Sequence, residues 1–170
     1  MTVTIRPATL DDVSLLSQLA PQIYRQHFGD QWISDSELND FLEAEYSESI
    51  ISADLSDPAV CWFVAHTDTF IGFAKLTWDS AIPDTDLSGV LLNKLYLAPN
   101  ATGKQHGKIL FEAMVQQARE REQTFFWLTV LEQNPRARKF YEKQGMQYIK
   151  DSVFKTESQQ SILHIMGMNI

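Results

Sequence analysis

Residues 125–131 read FFWLTVL, and Thr129 is the one polar residue among them. The run is far too short to cross a bilayer as a helix. It offers no polar face to water, so as a strand it must be covered on both sides. The segment that follows, NPRARKFYEKQGM, changes character at once. Asn134 is a good helix N-cap, and Pro135 suits the first helical position, where its missing N–H has no partner to lose. Gly145 supplies the left-handed residue that ends such a helix. A strand buried on both faces that feeds an amphipathic helix demands a layered α/β architecture.

The rest of the chain supplies the other layers. Val3 to Ile5 alternates as a short strand. Thr9 caps a helix that opens with Asp11 and Asp12, where negative charge meets the positive end of the helix dipole, and Val13, Leu16, Leu19 and Ile23 give its apolar stripe. Ser34 and Glu37 have capping-box spacing ahead of Leu38, Phe41 and Leu42. A short third helix covers Ile50 to Leu55 and stops before Pro58. The period then changes. VCWFVAH and FIGFAKLTW, joined by TDT, predict a hairpin, and VLLNKLYLA is the next strand. A helix follows from about His106 to Arg121, then FFWLTVL, the Asn134 helix, and a final pair of strands, MQYIKDSVF and ILHIMGMNI. The expectation is one domain over residues 1–170: a mixed sheet with helices on both faces.

Charge and cysteine content narrow the function. The formal net charge of −8 argues against a nucleic-acid partner. An acidic surface either favours cationic small molecules or simply aids solubility. Cys61 is the only cysteine, which excludes an internal disulfide and a cysteine-based zinc site and fits a reducing cytoplasm. The first residues, MTVTIRPATLDD, lack the pattern of a secretory signal, and no stretch reads as a membrane span. The four histidines lack metal-ligand spacing, so no metal is expected.

One loop carries a chemical signal. NATGKQHGKIL, residues 100–110, sits between a strand and a helix and holds two glycines and two lysines. It is not an NTPase P-loop: only three residues separate Gly103 from Gly107, and Ile109 stands where a magnesium-binding hydroxyl is required. The dinucleotide fingerprint G-x-G-x-x-G is also absent. Two alternatives stay open: a glycine-assisted turn, or a cradle whose backbone N–H groups hold a pyrophosphate at a helix N-terminus, with Lys104 and Lys108 adding charge.

The spacing of Asn134, Ala137, Phe140, Tyr141 and Gly145 resembles the final helix of the GNAT superfamily of acyl-CoA-dependent N-acyltransferases, N-x-x-A-x-x-F-Y-x-x-x-G-F, with Met146 in place of Phe. LNKLYLAPNATGKQHGKIL resembles the family's L-Y-V-x-P-x-x-[RQ]-G-x-G-x-G region. Here Thr102 replaces Arg or Gln, Gln105 replaces a glycine, and His106 replaces an aliphatic residue. The opening IRPATLDDVSLLSQLA and the strand FIGFAKL are similar to family members too, so the likeness spans nearly the whole chain. Trp127, Leu128, Val130, Asn134 and Ala137 look closest to the bacterial polyamine acetyltransferase branch.

The resemblance implies a GNAT fold, α/β (α+β), with a mostly antiparallel sheet of six to seven strands, splayed to hold acetyl-CoA as co-substrate. It implies that Leu95, Tyr96 and Leu97 pair with the pantetheine arm through main-chain groups, a backbone N–H near Leu95 facing the thioester oxygen. Thr102, Gly103, Lys104, Gln105, His106, Gly107 and Lys108 would surround the diphosphate. Asn134 would touch the pantetheine, Ala137 would give it clearance, and Tyr141 would protonate the departing thiolate. Asn134 as a plain cap, and Tyr141 and Phe140 as core aromatics, remain alternatives. Lys143 and Arg138 either meet the coenzyme's phosphates or are solvated surface charge.

The acceptor end is read as an aromatic pocket of Tyr24, Phe28, Trp32 and Trp78 with Asp79 nearby, suited to a primary amine and, from the resembling branch, a polyamine-like one. Asp84 and Asp86 share the loop with Asp79, and Asn93 and His27 are further candidates for a general base; a water relay is the alternative. Two other functions are carried: a non-catalytic acyl-CoA-binding regulatory module, and acetylation of a protein N-terminus or lysine. A homodimer stays open.

Overall fold

Local signals place the helices. The computed structural model describes residues 2–103 and 105–170. Ser34 Oγ accepts from Glu37 N–H at 3.2 Å and starts α2 (Asp35–Tyr46), while Ser47 Oγ does the same from Ile50 N–H for α3 (Glu48–Leu55). Asn134 Oδ1 accepts from Ala137 N–H at 3.2 Å and starts α5 (Pro135–Lys143). Gly145 follows with φ 103°, the left-handed stop. α1 (Val13–Phe28) is preceded by a single 3-10 turn, Leu10–Asp12, and α4 spans His106–Glu120. Asp12 does more than meet a helix dipole: it forms a two-pronged pair with the Arg6 guanidinium at 2.8 and 2.9 Å and accepts from Thr9 N–H at 2.7 Å.

Seven strands form one sheet: β1 (Thr4–Pro7), β2 (Val60–His66), β3 (Phe70–Ala81), β4 (Ser88–Leu97), β5 (Phe125–Leu131), β6 (Gln147–Lys155) and β7 (Gln160–Asn169). Their order is β1-β2-β3-β4-β5-β7-β6. Every neighbouring pair is antiparallel except β4–β5. The fold is thus the mixed α/β arrangement with a mostly antiparallel seven-stranded sheet. α1, α2 and α3 cover one face, closing a core around Leu16, Leu38, Tyr46, Trp62 and Phe73. α4 lies on the other, over Phe63, Leu76, Val90, Phe126 and Leu128, with Phe140 and Tyr141 of α5 packed at its edge. FFWLTVL is covered on both sides over most of its length: Phe126 and Leu128 face α4, whereas Trp127 meets Ile82 and Ile165.

Several boundaries shift by one to three residues from the sequence expectation, as at α3, which begins at Glu48 rather than Ile50. β1 runs slightly later than Val3–Ile5, at Thr4–Pro7. β3 continues beyond Trp78 through Asp79, Ser80 and Ala81, residues expected in a loop. Asp79 takes φ 50°, and Ser80 and Ala81 then pair again with Gly89 and Ser88. The irregular step lets the pairing resume after Trp78 and Asp79.

Candidate active site

The sheet opens where β4 and β5 part. Their parallel ladder has two residue pairs, Val90↔Phe126 and Leu91↔Trp127. Directly afterwards β4 carries a bulge: Leu92 pairs with Leu76 and Lys94 with Lys75, leaving Asn93 as the extra residue. A bulge bends its strand, and here the bend coincides with the end of the β4–β5 ladder. The gap forms part of a cleft of about 790 Å³.

Main-chain groups line that gap. Ala98 N–H donates to Ile71 O, so alternate residues of β4 face β3, and Leu95 and Leu97 turn their N–H and C=O toward β5. On β5, Glu132 N–H donates to Ile162 O, and Ile170 N–H donates to Thr124 O. The same alternation turns Thr129 and Leu131 toward β4. Two of these groups already have partners: Leu131 O accepts from Asn134 N–H at 2.9 Å, and a His27 ring nitrogen sits 2.6 Å from Leu97 O. The remainder form two facing strand edges into which an extended amide-bearing chain fits as an added strand.

One end of the cleft suits a diphosphate. Thr102, Gly103, Gln105, Gly107 and Lys108 line it, together with Arg136. Gly103 has φ 79° and a Cβ there would meet open space, while Gln105, a non-glycine residue, adopts φ 61°. The loop therefore keeps its left-handed turn despite Gln105. The first N–H groups of α4 have no intrahelical acceptor and point out of the helix start. His106 does not line the cleft; its ring nitrogen lies 3.1 Å from Ala101 O, pinning the loop from behind. Lys143 is outside the lining too, and Arg138 reaches Glu132 O instead. Lys104, expected here from the sequence, lies outside the described residues.

Asn134, Ala137 and Tyr141 line the same cleft from α5. Tyr141 packs against Phe140 and Phe111, with ring centroids 5.3 and 5.9 Å away. Burial alone pushes its phenol up to about 12, so the group stays protonated well beyond neutral pH.

Across the sheet, the cleft continues between α1, α2 and β4. Tyr24 and Phe28 line it, with Tyr96 edge-on to Phe28 at 5.6 Å. Trp32 stands one layer back: its indole N–H donates to Tyr24 Oη at 3.3 Å, and its ring packs on Phe41 and Phe154. Trp78 and Asp79 do not join this pocket. Trp78 is buried beneath Arg121, whose guanidinium lies 4.2 Å from the ring centroid, and Asp79 accepts from Gln123. Both lie by the C-terminal end of α4, about 22 Å along the helix from its phosphate-facing end at 1.5 Å per residue. The 82–87 loop is likewise committed elsewhere, with Ile82 packed on Trp127 and Pro83 O accepting from Lys150.

Sequence reasoning did not single out Thr129, Phe41, Glu45, Lys94, Arg136 or Phe154, all of which line the cleft. Thr129 had a signal, being the lone polar residue in its run. Lys94 is buried in β4, with Nζ 2.6 Å from Glu45 Oε1 and 5.0 Å from the Tyr46 ring. Burial pulls its ammonium pKa down, against the opposing pull of Glu45. Outside the cleft, Glu132, just past the end of β5, meets Asp151 of β6 and His164 of β7, with ligand atoms within 4.8 Å of one another. No sequence spacing could show that cross-strand neighbourhood.

Comparison with known proteins identifies the family. The family model described as acetyltransferase (GNAT) family matches residues 23–146. A Lactobacillus delbrueckii subsp. lactis protein, described as an N-acetyltransferase in the pepI 3′ region, is 28% identical over 137 residues, covering 78% of this chain and 79% of the relative. Among solved structures, the PaiA N-acetyltransferase of Thermoplasma acidophilum in complex with coenzyme A superposes over all of both chains with a TM-score of 0.74 at 22% identity. The spermidine/spermine N-acetyltransferase SpeG of Vibrio cholerae, in mutant form, covers 99% of this chain and 95% of its own with a TM-score of 0.69 at 18% identity. With more than half its length matched by the family model, the chain belongs to the acetyltransferase (GNAT) family and is an acyl-CoA-dependent acyltransferase.

Proposed function

We propose that the enzyme transfers an acetyl group from acetyl-CoA directly to a primary amine, with Tyr141 as the general acid. The observation that carries this is the pair of open strand edges, Leu95 and Leu97 against Thr129 and Leu131, in the cleft that Tyr141 lines. Pantetheine carries amides that suit such edges. The Gly103–Lys108 turn, the α4 N-terminus and Arg136 suit its diphosphate.

The thioester is already activated, so no side-chain nucleophile is needed. The amine nitrogen attacks the thioester carbon, and the Leu95 N–H is suitably oriented to stabilise the oxyanion that forms. The C–S bond then breaks, and the sulfur takes the Tyr141 proton. The surplus amine proton passes to water in the cleft. A buried phenol is suited to this because it arrives protonated. A polyamine-like acceptor was the sequence expectation, from the resembling branch; SpeG, with the same fold, is named for spermidine and spermine.

Tyr141→Phe tests the assignment. Turnover, followed by thiol release, falls on the order of 100-fold or more, while calorimetric affinity for acetyl-CoA changes by less than about threefold. Unchanged turnover removes Tyr141 from the role.

A further inference from the structure

We infer that the acceptor is a small primary monoamine with an aromatic or branched apolar body, and that the site selects against polycations. This rests on the acetyl-transfer reading above and specifies its acceptor.

Charge is the first observation. Among the described residues lining the cleft, Glu45 is the only carboxylate, and Lys94 already holds it at 2.6 Å. Asp54 of α3 is likewise engaged, by Lys75 at 2.8 Å and by the Trp62 indole N–H at 2.9 Å. The cation-attracting face of Tyr46 is taken by Lys94 itself. A di- or triamine would bring further positive charge toward a buried ammonium, with no second carboxylate among the described residues lining the cleft to receive it. The same surroundings favour the neutral form of a single amine, which is the form that attacks.

Shape is the second observation. Tyr24, Phe28, Phe41 and Phe154 give this side aromatic walls. The β6–β7 hairpin tip closes over them. Gln159 Oε1 accepts from Ile33 N–H at 2.8 Å, and Gln159 Nε2 donates to Gln31 O at 3.1 Å. Phe154 seals the join edge-on to Trp32, 5.7 Å between centroids. A compact apolar body fits beneath this clasp, against Tyr24, Phe28, Phe41 and Phe154, where a long charged chain finds no unpaired carboxylate in the lining.

The test is an acetylation panel with acetyl-CoA at pH 8: phenethylamine and isoamylamine against putrescine and spermidine. Phenethylamine is expected to show a kcat/KM at least tenfold above that of spermidine. In Lys94→Met, which releases Glu45, the ratio of putrescine to phenethylamine efficiency is expected to rise at least tenfold. Equal or better use of spermidine by the native enzyme overturns the inference, as does an unmoved ratio in the folded variant. If calorimetry detects acetyl-CoA binding but no amine in the panel is acetylated, the acceptor class is wrong. If acetyl-CoA does not bind, the underlying transferase reading fails instead.

Discussion

At the scale of single residues, two side chains carry consequences that their types alone would not suggest. Asp12 was expected to serve a helix start, yet its main partner is Arg6, and that bond holds its carboxyl down to about 2. A folded pKa below the unfolded value means the stabilisation is present above about pH 4 and is lost as pH falls toward 2. Arg6 faces solvent in part, so the pair contributes about 1–2 kcal/mol rather than the full value of the shift. Asp12→Asn is therefore expected to lose about that much in urea melts at pH 7, with the gap to the native protein narrowing between pH 4 and 3. Gln105 is the second case. Its φ of 61° is a conformation glycine adopts freely and a residue with a Cβ adopts only at a cost. Gln105→Gly is expected to raise stability by about 0.5–1 kcal/mol, a Tm gain of about 1–4 °C, because relief of the left-handed strain outweighs the added chain entropy. A fall in Tm would show that the Gln105 side chain itself holds the loop.

At the scale of elements, the opening between β4 and β5 depends on what happens just below it. Gly89 lies at the closed end of the gap, where an added Cβ would collide with Phe125 O. That oxygen belongs to backbone, so it cannot rotate away. Gly89→Ala forces the two strands apart where they should pair, at a cost of about 2 kcal/mol or more and a Tm drop of at least about 4 °C. The elements themselves were legible in the sequence. Ser34 with Glu37, Asn134 with Pro135, and Gly145 are local signals whose physics does not depend on the rest of the chain. The Asn134, Ala137 and Tyr141 face was legible for the same reason, since a helix fixes intervals of three and four residues. The acceptor side was less so. Trp78 and Asp79 were grouped with Tyr24 because aromatics and carboxylates suit an amine, but composition says nothing about which end of a sheet a loop occupies. Lys94 and Glu45 are 49 residues apart and meet only through the packing of α2 on β4. The Asn93 bulge is a register event, set by how β3 and β4 align, and no single strand records it.

At the scale of the whole molecule, the sheet is two halves with a narrow join. β1 to β4 form one ladder and β5, β7 and β6 another, with two β4–β5 residue pairs between them. The facing edges beyond that join contain backbone groups left without a strand partner, a conformation that water must satisfy when the cleft holds no other chain. A bound pantetheine arm would complete both ladders at once, so coenzyme binding should tighten the molecule across its weakest seam. At a free concentration of 100 times Kd, coenzyme A adds about 2.7 kcal/mol to the folded state by mass action, a Tm rise of about 5–11 °C for a chain of this size. Mass action alone sets that shift and would follow from binding anywhere on the protein. The seam makes a sharper demand, readable by hydrogen exchange. Amides of Leu95, Leu97, Thr129 and Leu131 should slow far more than those of β1 or β2, which are already laddered. Uniform slowing along the chain, with no excess at these four positions, would mean that the carrier stabilises the protein without entering the gap between β4 and β5.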